Sequence, residues 1–316
     1  MEFIADWERQ ASQSRLKTCF TIGVFDGLHL GHKFIIDAVI KNAAALKARS
    51  LVLTFEPHPL EVLAKAAAPP VLTTIEQKAE ILKTWGLDRL GVLRFNKEMA
   101  ATEAQKFLNQ FIGKFIEPAG VVLGSDFTFG KDAKGNPETI KEWLDKCSVK
   151  PRFTIAKPQS NADGRYSSSQ IRQDLKNGLV ENAAKALGRP YRLYGTVVHG
   201  LARGRNLGFP TANLGEMTQL IPEPGVYAVR VNVEGESYPA MTSIGYNPTF
   251  GDHPMTVETN IFDFNRFIYG LNISIDFMTR LRSMIQFKSV DQLTGQLEQD
   301  RQSALTALKT IETVTL

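Results

Sequence analysis

The sequence has little cysteine, no strong excess of either charge and no long apolar run. Its two cysteines, Cys19 and Cys147, form no CxxC pair and no metal-ligand spacing, so we expect buried or half-buried thiols rather than a disulfide framework. A formal net charge of +4 does not favour a nucleic-acid partner, although small anionic ligands need only local positive charge. No window reaches the ~18 apolar residues of a membrane span, and the first ten residues lack a secretory pattern. We therefore expect a cytoplasmic protein that engages neither membrane nor nucleic acid.

The chain is long enough for two ordinary domains. Its 316 residues exceed what one compact core usually holds, and its 43% hydrophobic and 22% charged content is typical of globular proteins. The sequence leaves the oligomeric state open, with a homo-oligomer as one alternative.

The first part of the chain alternates strand-like and helix-like segments. Strands are predicted at residues 18–25, 51–55, 89–95 and 119–123, and helices at 31–48, 73–85, from 102 onward and at 137–147. Capping boxes are expected to open two of these helices, at residues 73–76 and 102–105. This order predicts an α/β domain with a parallel sheet, whose ligands bind beyond the carboxyl ends of the strands.

The second part of the chain has a different secondary-structure pattern, dominated by short strands. Two short helices broken at Gly178 are predicted over residues 167–187, and short alternating strands follow Pro190. These strands are expected at 193–198, 226–233, 238–244, 256–262 and 273–277, with a hairpin turn at 233–237. They predict a small antiparallel β-barrel, followed by an amphipathic helix from Val290 to about Lys309. The domain boundary is expected near Gly188.

The most informative stretch is residues 21–32, TIGVFDGLHLGH. A predicted strand ends, glycines allow a tight backbone path, and a helix begins whose free N–H groups favour phosphate. His29 and His32 are three positions apart, so both imidazoles can donate hydrogen bonds to phosphate oxygens from one side of the first turn. A lone HxGH carries little information, but this strand–turn–helix context favours a nucleotide site.

This stretch resembles the HxGH motif of nucleotidyltransferases related to class I tRNA synthetases. Together with LTFEPHP, GSDFTFG and YSSSQIR, it is similar to the FMN adenylyltransferase module of bacterial bifunctional riboflavin kinase/FAD synthetases. The resemblance is colinear from about Thr18 to Asp300. It implies a nucleotidyltransferase-like domain over residues 1–187 and a riboflavin kinase barrel over 188–316.

The resemblance implies roles for individual residues in the first domain. His29 and His32 would hold the ATP phosphates. The surrounding nucleotide loop and the element that closes over the phosphates are matched by Gly23, Phe25, Asp26, Gly31, Ser168, Ser169 and Arg172. Flavin or adenine contacts would come from Asp126, Phe127 and His58. The reaction implied is in-line attack of the FMN phosphate on the α-phosphorus of ATP, with no protein nucleophile.

Simpler interpretations of these residues remain open. Asp26 and the serines at 167–169 are also typical helix N-caps. Phe127 and Phe129 are equally compatible with core aromatics, and His58, between two prolines, with a turn residue.

A second informative stretch, rich in glycine and arginine, is residues 200–213, GLARGRNLGFPTAN. Backbone amides at Gly200 and Gly204 can approach an anion, with Arg203 and Arg205 supplying positive charge beside them. In extended chain, Thr211 and Asn213 point to the same side and offer hard oxygen donors for Mg²⁺ bound jointly with nucleotide phosphates. A solvated basic turn is the alternative from composition alone.

This stretch is similar to the riboflavin kinase signature, of which PTAN is the most specific part. The resemblance implies that Thr211 and Asn213 hold Mg–ATP and that residues 243–251 lie on the flavin side. It also implies that Glu258 is the general base, taking the proton of the ribityl 5′-hydroxyl as this attacks the γ-phosphorus. The substrates implied are riboflavin, FMN and ATP, with Mg²⁺ accompanying ATP. Without the resemblance, Glu258 reads as a solvated strand residue.

The sequence departs from the family pattern at two places. Asn260 replaces a frequent histidine, and residues 282–287 lack the Glu and Lys of an RxExKF stretch, with Met284 and Gln286 in their place. These departures put flavin contacts and closure of the last helix in doubt. Three functions stay open: a bifunctional enzyme, a single-activity enzyme that has lost the kinase, and a flavin- or nucleotide-sensing protein without turnover. Binding alone would not need Glu258, which argues against the third.

We expect the departures to weaken or alter flavin affinity at the kinase site without abolishing the activity, because they do not touch Thr211, Asn213 or Glu258. Isothermal titration of the barrel with riboflavin measures this affinity. Binding as tight as that of a family member with the usual residues would contradict the expectation.

Overall fold

The computed structural model describes residues 1–10, 15–63, 68–147, 150–157, 160–161, 164–200, 204, 207–246 and 255–315. Within them the chain divides into two compact units, Met1–Ser167 and Ser168–Leu316. Each unit has its own sheet, and each is described separately below.

The first unit contains a six-stranded parallel sheet, as predicted, with strand order β1-β4-β3-β2-β5-β6. Its strands are β1 (Glu2–Ile4), β2 (Leu16–Ile22), β3 (Arg49–Glu56), β4 (Arg89–Arg94), β5 (Ile116–Gly124) and β6 (Arg152–Ala156). The pattern missed β1 and β6, which are short and partly exposed. The chain moves from β2 toward β3 and β4 on one side and then crosses to β5 and β6 on the other. The strand order therefore reverses beside β2, and this crevice is where ligands of such sheets bind.

Helices cover both faces of this sheet, because successive strand residues point to opposite sides. On one face, Val52 and Leu90 pack against Ile36 and Leu82. On the other, Leu53 and its neighbours pack against Trp7 and the helices after β4. These helices are α1 (Trp7–Gln10), α2 (Leu30–Ala45), α3 (Pro59–Leu63), α4 (Ile75–Thr84), α5 (Lys97–Ala100), α6 (Ala104–Phe107) continued by a π-helical turn (Leu108–Gly113), and α7 (Pro137–Leu144).

The capping box of α4 lies one residue later than expected. Thr74 is the N-cap and pairs reciprocally with Gln77, whereas the sequence analysis placed the box at residues 73–76. Thr73 does not cap the helix because its hydroxyl makes tertiary contacts: it donates to Asp26 and accepts from the N–H of Gly27. The box expected at residues 102–105 is also absent, since Thr102 donates its hydroxyl proton to the carbonyl of Glu98 and α6 has no side-chain cap.

The second unit contains a closed antiparallel barrel, as predicted, with strand order β10-β13-β12-β11-β14-β9. Its strands are β9 (Tyr191–Val198), β10 (Ala212–Gly215), β11 (Gly225–Val233), β12 (Glu236–Gly245), β13 (Thr256–Ile261) and β14 (Asn272–Arg282); a two-stranded ribbon, β7 (Ser160–Asn161) with β8 (Gly164–Arg165), precedes this unit. The hairpin between β11 and β12 turns through left-handed backbone at Glu234 and Gly235, as its sequence indicated. The pattern missed β10, a strand of four residues that closes the barrel.

Two helices broken at Gly178 precede the barrel, as predicted: α8 (Ser168–Lys176) and α9 (Val180–Leu187). They pack with it, because Glu181 accepts hydrogen bonds from Thr279 and the Arg280 N–H, and the carbonyl of Leu175 accepts from the Glu223 N–H. The resemblance implies that residues 168–187 belong to the first domain. Its functional boundary at 187/188 stays a prediction.

The last helix, α10 (Val290–Thr315), packs on the barrel despite the altered RxExKF stretch. Ala304 and Leu308 join Phe209 and Met241 in one apolar cluster. Arg282 forms a bidentate ion pair with Asp300, at 2.6 Å from Nη2 to Oδ2. This pair anchors α10 to the end of β14 without the Glu and Lys that the family pattern has there.

The two thiols are free, Cys19 buried and Cys147 half-buried, as expected. Burial raises the pKa of Cys19 to about 11. Over the described residues, the helices are all too short or too polar to cross a membrane.

We expect Arg282→Leu to lower the free energy of unfolding by about 3–5 kcal/mol, because it leaves the carboxylate of Asp300 buried without its partner. The side chains of Arg282 and Asp300 are only 17% and 4% exposed. Urea denaturation of the full chain measures the loss. Asp37→Asn, which removes the exposed Lys33–Asp37 pair on α2, is the control and should cost under ~1 kcal/mol. An equal loss of unfolding free energy in the two variants would contradict a stabilising role for the Arg282–Asp300 pair.

Candidate active sites

The turn between β2 and α2 is an unusual backbone path held by its neighbours. Phe25, Gly27 and Leu28 have φ of 47°, 82° and 44°, so two non-glycine residues adopt left-handed backbone within four positions. Such residues cost free energy and persist only where surrounding contacts determine them. The N–H of Gly23 is held by the Leu53 carbonyl at 3.0 Å.

The two histidines lie at the first turn of α2. His29 is the N-cap, and its Nδ1 accepts a hydrogen bond from the His32 N–H at 3.3 Å. A neutral His29 therefore carries its proton on Nε2. The two rings stack with centroids 3.7 Å apart, and Phe25 packs edge-on against His32. A Cβ on Gly31 would lie 3.0 Å from the His29 ring, so glycine lets this ring lie over the turn. The structure thus brings both predicted histidines together.

Asp26 does not cap α2. Its side chain is 3% exposed and accepts hydrogen bonds from the N–H groups of Leu72 and Thr73, at 3.0 and 3.1 Å. These contacts tie the turn to the segment that precedes α4. Asp26 therefore helps to hold the turn between β2 and α2, and its part in nucleotide binding stays a prediction.

The residues predicted to contact flavin or adenine follow β3 and β5. Asp126 is exposed in the turn after β5. Phe127 is half-buried and stacks on the buried Phe129, with ring centroids 5.5 Å apart. Phe129 is a core aromatic, whereas Phe127 lies at the edge of the core. His58 accepts a hydrogen bond from the Leu60 N–H through Nδ1, as a turn residue would.

Ser168, Ser169 and Arg172 lie on the first turns of α8. Ser168 and Arg172 are four residues apart, so they share one face of the helix. Ser169 is exposed and Arg172 half-buried. Their predicted closure over phosphates stays a prediction.

The second candidate site lies in the barrel unit, where β10 meets the glycine loop. A Cβ on Gly200 would lie 2.3 Å from the amide nitrogen of Asn213. A Cβ on Gly204 would lie 2.3 Å from the Phe209 carbonyl and 3.7 Å from the methyl of Thr211. The side chains of Asn213 and Thr211 therefore lie near Gly200 and Gly204. That the two residues offer oxygens to Mg²⁺ from one side stays a prediction.

Glu258 lies beside these two residues on β13. It pairs in register with Asn213 on one side and with Ser243 on the other. The hydroxyl of Thr211 donates to its Oε2 at 3.4 Å, and the glutamate is half-buried. One carboxylate, one hydroxyl and one carboxamide thus meet at one end of the barrel.

Asn260, a departure from the family pattern, has a structural partner. It is buried, and its side-chain amide donates to the carbonyl of Pro210 at 2.7 Å, directly before Thr211. Met284, the other departure, is half-exposed and lies against Gly245 and Ser243 on β12. Asn260 thus holds the segment before Thr211, and Met284 places a thioether beside Ser243 and Gly245.

Arg203, Arg205 and residues 247–251 lie outside the described residues. The predicted phosphate contacts of the two arginines and the flavin-side role of 247–251 stay predictions.

Sequence reasoning missed the residues that hold the first turn. Lys78 donates from Nζ to the Val24 carbonyl at 2.9 Å, and Thr54 donates to the same oxygen at 2.9 Å. A signal was present: Lys78 occupies the position between Ile75 and Leu82 where the helical period of α4 calls for an apolar residue.

Comparison with known proteins agrees with this geometry. A family model described as FAD synthetase matches residues 11–170, and one described as riboflavin kinase matches residues 187–308. The "Bifunctional riboflavin kinase/FMN adenylyltransferase" of Bacillus subtilis (strain 168) is 39% identical over 93% of both chains. The chain belongs to this family.

Other members and one solved structure extend the match over the whole chain. The riboflavin kinase/FMN adenylyltransferase of Escherichia coli (strain K12) is 33% identical over 93% of this chain and 94% of its own. A crystal structure described as a "Macrolide-efflux Protein" from Streptococcus pneumoniae superposes with a TM-score of 0.85 at 33% identity, covering 96% of this chain and 99% of that one. Family membership makes the chain a bifunctional enzyme, which settles the alternatives of a single activity and of a sensor without turnover.

We expect Gly200→Ala to lower riboflavin kinase activity at least tenfold, because its Cβ would displace the Asn213 amide. The conversion of FMN to FAD by the same variant should remain within twofold of wild type. Both rates are measured by chromatographic resolution of flavins. Gly295→Ala, where an added Cβ meets open space on α10, is the matched control. Equal kinase rates for the two variants would contradict the close approach.

Proposed function

We propose that the two activities of this enzyme occupy separate sites, one in each family-matched region. Adenylylation of FMN to FAD takes place at the turn between β2 and α2, within residues 1–187. Phosphorylation of riboflavin to FMN takes place where β10 meets β13, within residues 188–316. The observation that carries the proposal is the juxtaposition of Glu258 with Thr211 and Asn213, remote in sequence and adjacent in the barrel.

At the first site, the residues bind and orient phosphates rather than form a covalent intermediate. The N–H groups that open α2 and the Nε2 proton of a neutral His29 belong to the same turn of the helix, where the rings of His29 and His32 stack. These donors would stabilise negative charge as pyrophosphate leaves the α-phosphorus, which is attacked in line by the FMN phosphate.

At the second site, Glu258 acts as general base. Its carboxylate would accept the proton of the ribityl 5′-hydroxyl as that oxygen attacks the γ-phosphorus of ATP. The Thr211 hydroxyl, which donates to this carboxylate, orients it toward the segment that carries Asn213. Gly200 and Gly204 leave room for backbone to approach the phosphates.

The donors at the second site fit Mg²⁺ brought by ATP. Thr211 and Asn213 offer the hard oxygens that Mg²⁺ prefers. Over the described ranges, no cluster of three His, Cys, Asp or Glu side chains could form a closed metal cage. An ion bound here jointly with nucleotide phosphates would neutralise their charge.

We expect the two activities to be separable by single substitutions. His29→Ala should lower FAD formation from FMN by ~10²–10³-fold, the scale of losing one transition-state donor, and leave riboflavin phosphorylation intact. Glu258→Gln should lower phosphorylation by ~10²–10⁴-fold, the scale of losing a general base, and leave FAD formation intact. The assay supplies riboflavin or FMN with ATP and Mg²⁺ and resolves the flavins.

Glu298→Gln, on α10, is the matched control for Glu258→Gln and should change neither rate. Loss of both activities in both site variants would contradict two separate sites. Failure of Glu258→Gln to slow phosphorylation would remove the assigned base.

A further inference from the structure

The carbonyl oxygen of Val24 receives two side-chain donors. Thr54, on β3, donates its hydroxyl proton at 2.9 Å, and Lys78, on α4, donates from Nζ at 2.9 Å. Val24 directly precedes Phe25, the first left-handed residue of the turn that leads to His29. These two contacts therefore hold the backbone at the point where it leaves the sheet.

Lys78 is buried, with 5% of its surface exposed. Burial lowers its pKa, and the negative charges of Asp26 and Glu56 oppose that shift. Burying an ammonium costs free energy of desolvation, and an apolar residue of similar volume at this position would not carry that cost. Stability alone therefore does not account for lysine here.

The same short segment anchors the turn a second time. The N–H groups of Leu72 and Thr73 bind the carboxylate of Asp26, two residues beyond Val24. Residues 72–78 thus hold the turn on both sides of Phe25. The N–H groups of Leu72 and Thr73 bind Asp26 after it, and the amino group of Lys78 binds the Val24 carbonyl before it. Movement of either contact would move the N-cap that His29 forms.

We infer that Lys78 is a positioning residue for the adenylyltransferase site: its buried ammonium fixes the Val24 carbonyl and thereby the turn that orients His29 and His32. This inference rests on the proposed assignment of that site. Lys78 acts through the turn and need not touch the substrate.

The test compares Lys78→Met with Lys83→Met in the full chain. Both substitutions remove a lysine charge from α4, but Lys83 is exposed. We expect Lys78→Met to lower kcat for FAD formation at least tenfold while the KM for ATP changes less than threefold, because misplaced histidines lose transition-state contacts more than ground-state ones. Its Tm should equal or exceed that of wild type, and riboflavin phosphorylation on the same chain should be unchanged. Lys83→Met should match wild type in every measure.

Lys78→Arg keeps the charge and the donors, so it should recover at least a third of the lost rate. If Lys78→Met does not fold, Thr54→Val tests the same carbonyl and should also lower kcat without altering phosphorylation. Wild-type kcat in Lys78→Met, or equal losses in Lys78→Met and Lys78→Arg, would overturn the inference. Failure of His29→Ala to affect FAD formation would instead overturn the site assignment, so the two failures are distinguishable.

Discussion

Both candidate sites depend on one constraint: a turn that leaves its own backbone groups available to a ligand has to be held by contacts with other parts of its domain. At the first site, a turn with left-handed backbone at Phe25 and Leu28 is held by Thr54 and Lys78, which donate to the Val24 carbonyl. The turn's own Asp26 adds a contact with the backbone N–H groups of residues 72–73. Hydrogen bonds to charged partners in a buried setting are the strong ones. Because His29 and His32 directly follow this turn, its contacts determine where the two rings lie.

The barrel meets the same constraint by close packing rather than by buried charge. The Asn213 amide lies directly against the Cα of Gly200, and the buried amide of Asn260 holds the Pro210 carbonyl. Antiparallel pairing of β10 with β13 then places Glu258 directly opposite Asn213, although the two residues are distant in sequence. A register shift of one residue would turn Glu258 to the other face of the sheet, so the barrel register determines the site.

The residues that depart from the family pattern make different structural contacts. Asn260 keeps a buried hydrogen bond to the segment that carries Thr211. The missing Glu and Lys after β14 are offset by the bidentate pair of Arg282 with Asp300, which docks α10. Met284 places a half-exposed thioether beside Ser243 on β12.

Local pattern in the sequence was sufficient for the parallel sheet, the barrel strands, the helix break at Gly178 and the pairing of His29 with His32, because periodicity and glycine positions act over a few residues. It misplaced the cap of α4 and missed β10, since Thr73 is drawn to Asp26 and a four-residue strand is defined only by its neighbours. The partners of Asp26, Lys78 and Asn260 lie 46 to 54 residues away along the chain. Such contacts leave no local periodicity, and only the folded chain determines them.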